Sequence, residues 1–396
     1  MAALLELAEA QARALKLARK AEPVPVPAAE AIGLYLASDL AALRTQPPAD
    51  LSAMDGYAVA GSGPWRLVGE SRAGAPFARR ISQGECVRIS TGAHMPEGSD
   101  RVLIQENAAA DGEQVMCTQD MPSPGRHVRR RGFDFTEGDL VLKAGCRIDA
   151  AQLALAMSAG HGSLAVRNAP TVAVLDSGDE LAADPGECRD DQIPASNGAM
   201  IGAMLGELGC EVVRIGPVGD SLSELADALA KAECADFLVT SGGASVGDHD
   251  LIRPALEAWG AEIDFWKVAI KPGKPLMMAR RGEQIVIGLP GNPVSSFVTC
   301  YLFVLPMARA MMGAAEPLPQ VVELPLAASL PPVGSRREFL RARWDGMSVS
   351  LCDSQDSSAL AALAASNCLI ERPANADAAA AGELVPCYLL RNGGIA

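Results

Sequence analysis

The sequence predicts a multidomain α/β plus β protein, a doubly wound α/β domain carrying smaller mostly-β domains. Three observations lead there. Between residues 170 and 315, short apolar strands alternate with helical stretches, the pattern of a parallel sheet covered on both faces. On either side, short β runs broken by turn residues dominate, over 46–131 and 320–396. The chain has 396 residues, too many for one typical core.

Taken in order, Met1 to Arg19 reads as a helix and Glu22 to Pro27, alternating proline and valine, as an extended linker or edge strand. Ala28 to Leu43 holds a short helix and a strand, stopped by the breaker Arg44 to Pro48. Five β runs follow: Tyr57 to Ala60, Trp65 to Val68, Cys86 to Ile89, Arg101 to Gln105 and Val115 to Thr118. Leu140 to Leu142 precedes a helix over Ala150 to Ala159, ended by Gly160. Residues 1–45 and 132–169 thus form one discontinuous linking domain around the β domain of 46–131.

In the α/β domain the predicted strands are Val172 to Leu175, Glu211 to Ile215, Phe237 to Val239 and Ile285 to Ile287. The helices are Asn197 to Leu208 with Ser196 as cap, Ser221 to Glu233, Leu251 to Trp259 and Pro293 to Met312. Ser221 and Glu224 have capping-box spacing. After the linker Glu316 to Pro319, further β runs form a C-terminal β domain or barrel over 320–396.

Composition excludes several classes. The chain is 49% hydrophobic and 21% charged, globular in character, and its net charge of −14 opposes non-specific nucleic-acid binding. Ten cysteines without a C-x-x-C pair fit free thiols in the cytoplasm and oppose zinc ribbons or a disulfide framework. The N-terminus lacks the continuous apolar core of a signal peptide. Val294 to Met312 carries serines, a threonine, a proline and an arginine, so it reads as a buried helix and not a membrane span.

Chemistry concentrates between Asp236 and Pro293. Gly242, Gly243 and Gly247 follow one strand, and Gly288 to Pro293 follow another. Glycines at the carboxyl ends of α/β strands let backbone N–H groups approach a phosphate. Lys267, Lys271 and Lys274 lie between the two loops, and Asp248 and Asp250 lie inside the first. Lysines beside acids suit a phosphorylated ligand held with a hard cation, or a solvated charge cluster. Asp179 and Glu180, after the first strand, suit Mg²⁺ or a solvated turn. Asp220 reads by position as a helix cap, and Asp55-Gly56 by spacing as a hairpin turn. The four histidines show no metal-ligand spacing.

Together the segments SAMDGYAV (from Ser52), RISTGA (from Arg88), VRRRGxD (from Val128), SGDEL (from Ser177), TSGGxSVGDxD (from Thr240), FWKVAIKPGKP (from Phe265) and GLPGNPVS (from Gly288) resemble the molybdopterin molybdenumtransferase family, the MoeA type, which includes the E domain of gephyrin. The resemblance implies an elongated subunit with a molybdopterin-binding α/β domain. It implies a homodimer in which the β domain carrying Asp55 faces the partner's α/β domain. The implied reaction takes adenylylated molybdopterin and molybdate as substrates, uses Mg²⁺ to cleave the pyrophosphate link, and releases AMP.

Matched motif by motif, the resemblance implies catalytic roles for Asp55, Thr91, Asp134, Glu180, Asp220, Asp250, Lys267 and Lys271. Glu180, Asp220 and Asp250 are the implied Mg²⁺ ligands. Ser177, Gly178, Gly242, Gly243, Ser245, Lys274, Pro290, Gly291, Asn292 and Arg341 are the implied cofactor-binding set, Arg341 as an oxyanion contact. Implied partners are a molybdopterin adenylyltransferase and apo-molybdoenzymes, with no nucleic acid and no membrane. Phe133 replaces a usual acid before Asp134, and Asp248 stands where some members carry glutamate. Competing readings are a molybdopterin adenylyltransferase, from the α/β domain alone, and a non-catalytic gephyrin-like scaffold.

Overall fold

The computed structural model describes residues 4–242 and 251–390, the side chains of 264–266 excepted. Its central sheet has six strands: β1 Thr171–Ser177, β2 Glu211–Val218, β3 Phe237–Ser241, β4 Glu262–Lys267, β5 Pro275–Arg281 and β6 Gln284–Leu289. Their order across the sheet is β2-β1-β3-β6-β5-β4. The first four are parallel, and β5 runs antiparallel to both its neighbours, β6 and β4, so the predicted all-parallel sheet is a mixed one with one reversed strand. β5 escapes a strand reading because its apolar stretch ends in Arg280 and Arg281 and turns at once through Gly282 into β6.

Alternation along the strands serves two cores. Val172 and Val174 of β1 face one side, against Ile201 and Leu205 of the helix Ser196–Gly206. Ala173 and Leu175 face the other, against Leu225 and Leu229 of the helix Leu222–Lys231 and Leu256 of the helix Ile252–Ala258. A strand buried on both faces reads as a continuous apolar run, which is why the sequence revealed it. The N-terminal helix, Leu7–Leu17, belongs physically to this domain, because Leu7, Ala10 and Ala14 enter the same core as the long C-terminal helix.

That long helix runs Pro293–Met311 with one π turn at Cys300–Val304. It is apolar and long enough to cross a membrane, but 83% of its most apolar window is buried inside the fold, as in a core helix. Ser196 is not the cap of its helix. It occupies the first helical position, and the carboxylate of Asp176 accepts the Gly198 N–H in place of a cap. Ser221 does cap the next helix, accepting the Glu224 N–H at 3.3 Å, while the Glu224 carboxylate turns to the Gly219 N–H.

All five predicted strands of the small domain form, joined by Ala108–Asp111, in a second six-stranded sheet. The discontinuous linking domain is held by antiparallel pairing of Pro23–Pro27 with Ser163–Arg167 and of Leu40–Ala41 with Leu140–Leu142. The C-terminal sheet includes Ile270–Lys271 from the α/β region, paired with Arg337–Glu338. Leu326 bridges Val349 and brings that sheet back on itself, as a small barrel requires.

Candidate functional site

β2 and β3 leave β1 in opposite lateral directions, so the carboxyl ends of β1 and β3 flank a topological switch point. β1 ends in Asp176, Ser177 and Gly178. Gly178 has φ +149°, and a Cβ there would lie 2.4 Å from Glu180 Oε2. Glycine therefore lets the Glu180 carboxylate fold back over the strand end. Asp179 Oδ1 accepts the Asp220 N–H at 3.0 Å and so ties the loop after β2 to the loop after β1. Because Ser221 is the cap, Asp220 is spared the capping role that its position suggested.

Asp176 is almost fully buried. It accepts the Gly198 N–H at 3.0 Å and lies 3.7 Å from Arg214 Nη2. Burial pushes its carboxyl above the usual range, against the pull of Arg214 and Gly198. Asn197, beside Gly198, donates its side-chain amide to the Gly291 carbonyl at 2.7 Å. Asn292 in turn donates to Ser357 Oγ at 3.1 Å, and the Val294 N–H to the Ser357 carbonyl at 3.1 Å. These bonds link the β1 end, the second glycine loop and the C-terminal domain into one frame.

The frame encloses a cavity of about 790 Å³. Of the residues expected at the site, Ser177, Gly178, Glu180, Asp220, Gly242, Pro290, Gly291 and Asn292 line it together. Asp176, Asn197, Ser358 and Leu360 line it as well and were absent from the expected set. Asp176 carried a signal, a lone acid ending an apolar strand. Ser358 and Leu360 carried none, because only tertiary packing brings the C-terminal domain here. Asp250, Gly243 and Ser245, with Asp248, lie outside the described residues. Among the described residues no three His, Cys, Asp or Glu side chains form a metal cluster.

Other expected residues stand elsewhere. Thr91 donates its N–H and its hydroxyl to the same oxygen, Asp55 Oδ1, at 2.6 and 3.0 Å, on the small β domain. Asp55-Gly56 is no hairpin: Gly56–Val59 pairs with Glu85–Ile89 and Arg101–Ile104, whereas Leu51–Ser52 pairs with Val128–Arg129. Asp134 is exposed in a neighbouring loop, its N–H on the Gln46 carbonyl. Lys271 pairs with Glu338 at 2.8 Å, Lys274 is exposed and Lys267 half-buried. Arg341 is buried, with Nη2 on the carbonyls of Ser354 and Asp356. None of these seven lines the cavity.

Three family profiles match in succession: the MoeA N-terminal region (domain I and II) over residues 5–160, "Probable molybdopterin binding domain" over 173–310, and the MoeA C-terminal region (domain IV) over 323–390. A molybdopterin molybdenumtransferase of Haemophilus influenzae is 36% identical over 293 residues, 72% of this chain and 72% of its own length. One from Staphylococcus aureus is 31% identical over 369 residues, 89% of this chain and 88% of its own. The crystal structure of a molybdopterin biosynthesis moeA protein from Pyrococcus horikoshii matches with a TM-score of 0.84 at 25% identity, over 98% of this chain and 100% of its own. The chain belongs to the MoeA family of molybdopterin molybdenumtransferases.

Proposed function

We propose that this chain inserts molybdenum into molybdopterin, taking adenylylated molybdopterin and molybdate, cleaving the pyrophosphate link and releasing AMP. As a member of its family it is a transferase of molybdenum cofactor biosynthesis. The observation that carries the finer reading is the cavity itself. It opens where α/β sheets bind ligands, it is walled by glycine loops, and besides the buried Asp176 it holds two carboxylates, Glu180 and Asp220. Among the described residues neither carboxylate has a hydrogen bond or an ion pair.

Two free hard oxygen donors fit Mg²⁺, which takes few protein carboxylates and keeps its waters. Glu180 and Asp220 would hold it, and it would supply charge neutralisation on the pyrophosphate. The residues of this chain do the rest. Gly178, Gly242 and Gly291 bring backbone close to the phosphates, and the Asn197–Gly291 and Asn292–Ser357 bonds keep the second loop in place. The backbone of Ser177 and Gly242 narrows the wall between β1 and β3, where a Cβ on Gly242 would come within 3.0 Å of the Ser177 carbonyl.

Asp55, Thr91 and Asp134 do not line the cavity of their own chain, which supports a homodimer whose small β domain completes the partner's cleft. Lys267, Lys271 and Lys274 are proposed to attract molybdate at the cleft edge. A molybdopterin adenylyltransferase upstream and apo-molybdoenzymes downstream are the proposed partners. The ten unpaired cysteines support a reducing compartment, the cytoplasm. The adenylyltransferase reading is weakened by matches that extend well beyond the α/β domain.

The test is AMP release from adenylylated molybdopterin, with Mg²⁺ present and molybdate titrated in. Molybdate-dependent release that vanishes without Mg²⁺ supports the transferase. ATP turnover with molybdopterin would favour the adenylyltransferase. Nucleotide binding without release at any molybdate level would favour the scaffold.

A further inference from the structure

Arg341 presents an anomaly in the C-terminal domain. Its side chain is 1% exposed, yet among the described residues it has no ion pair. Burial lowers its pKa, and its Nε is buried without a hydrogen-bond partner. A buried guanidinium is costly unless its donors do specific work. Both bonds of Nη2 go to one loop, to the carbonyls of Ser354 at 3.1 Å and Asp356 at 3.0 Å. Gln355, between them, clasps the Arg341 backbone: its Oε1 accepts the Arg341 N–H at 2.9 Å and its Nε2 donates to the Arg341 carbonyl at 2.8 Å.

The loop held in this way continues directly into the cavity wall. The Asp356 carboxylate accepts both the N–H and the hydroxyl of Ser358. Ser357, between them, makes the two bonds to Asn292 and Val294 already described. Ser358 and Leu360 then face the cavity.

We propose that Arg341 is a positioning residue: it holds loop 354–358 so that Ser357 latches the second glycine loop and the C-terminal domain closes one side of the substrate cavity. The oxyanion contact implied by resemblance is the competing role for this side chain. The kinetic part rests on the proposed reaction, whereas the latch itself does not.

The test compares Arg341→Lys, Ser357→Ala and the double variant in the full-length protein, by amide hydrogen exchange and by AMP release. Lysine keeps the charge but lacks the planar fork that reaches two carbonyls. Exchange is expected to quicken about tenfold, both over 354–360 and over 290–294, while strand Cys368–Arg372 keeps its protection. The KM for adenylylated molybdopterin rises about fivefold with kcat within about twofold, the pattern of lost uniform binding, and molybdate half-saturation stays put. Ser357→Ala carries little folding risk and repeats the effect at 290–294. In the double variant the two effects are less than additive, because both act on one latch.

Unchanged exchange at 290–294 overturns the proposal. So does a shift in molybdate half-saturation with both loops unmoved, which would make Arg341 an oxyanion contact after all. If the unsubstituted protein released no AMP, the reaction would be wrong, and the exchange pattern would still decide the latch.

Discussion

Thr91 grips one oxygen of Asp55 with both its backbone N–H and its hydroxyl, and among the described residues the other oxygen of that exposed carboxylate is unshared. The N–H first and the hydroxyl second hold the Asp55 carboxyl below its usual pKa. A depressed carboxylate contributes stability above its unfolded-state pKa and loses it as pH falls through the folded one. Thr91→Val removes only the hydroxyl. The Asp55 pKa is expected to rise part of the way back, seen as a shifted midpoint of its carboxyl carbon in an NMR titration. An unmoved midpoint would show that the N–H alone orders Asp55.

Asp176 has the opposite sign. Its folded pKa is raised by burial, so ionising it costs folding stability at all pH values above the usual carboxylate range. Asp176→Asn keeps an acceptor for the Gly198 N–H and removes that cost. The variant is expected to melt higher than the parent at pH 7, with the gap narrowing as pH falls toward 4. Since Asp176 also lines the cavity, substrate binding should weaken in the same variant, a trade of function against stability. Equal melting temperatures across the whole range would mean that Arg214 fully compensates the buried charge.

If Glu180 and Asp220 hold Mg²⁺, then Glu180→Gln and Asp220→Asn each weaken the metal. The expected rise in half-saturating Mg²⁺ is at least about tenfold, the loss seen even for outer-shell partners of a metal. Mn²⁺ binding followed by EPR gives a readout independent of turnover. Unaltered Mn²⁺ affinity in both variants would remove these two carboxylates from the metal site.

Ser221→Ala tests a local feature without touching the cavity wall. The lost bond to the Glu224 N–H should cost about 1 kcal/mol in denaturant unfolding. A Ser221→Asp variant, which can still cap, should recover most of it. If both variants match the parent, the Glu224–Gly219 bond sustains the helix start unaided.

The sequence was readable where physics is local. β1, β3 and β6 are buried on both faces, so each announces itself as an apolar run. The turn after β1 was readable because a side chain at Gly178 would collide with the Glu180 carboxylate. Readability failed where a residue's role depends on a distant partner. Asp55-Gly56 has hairpin spacing, but its strand pairs with Glu85–Ile89 and Arg101–Ile104, and Thr91 reaches it only through that sheet. Ser196 has a cap's identity, but Asp176 fills that office from another element. Ser357 bonds across domains to Asn292, and Arg341 holds a loop of its own domain that lies more than a dozen residues away, which no local pattern encodes.

The placement of Asp55 and Glu180 allows a test of the proposed dimer that needs no structure of the complex. In one chain Glu180 lines the cavity and Asp55 does not. If each cleft combines Glu180 of one copy with Asp55 of the other, Asp55→Asn and Glu180→Gln homodimers are both inactive, having lost an essential carboxylate in both clefts. A mixed dimer is different. Both substitutions fall in the same cleft, and the other cleft keeps two intact residues. Random mixing makes half of the dimers mixed, so co-expression should restore about a quarter of parental AMP release. Clefts built within single chains would each carry one lesion in every dimer, and the mixture would stay as inactive as its parents. Restored release therefore separates a shared cleft from an autonomous one, whatever the detailed roles of the two carboxylates.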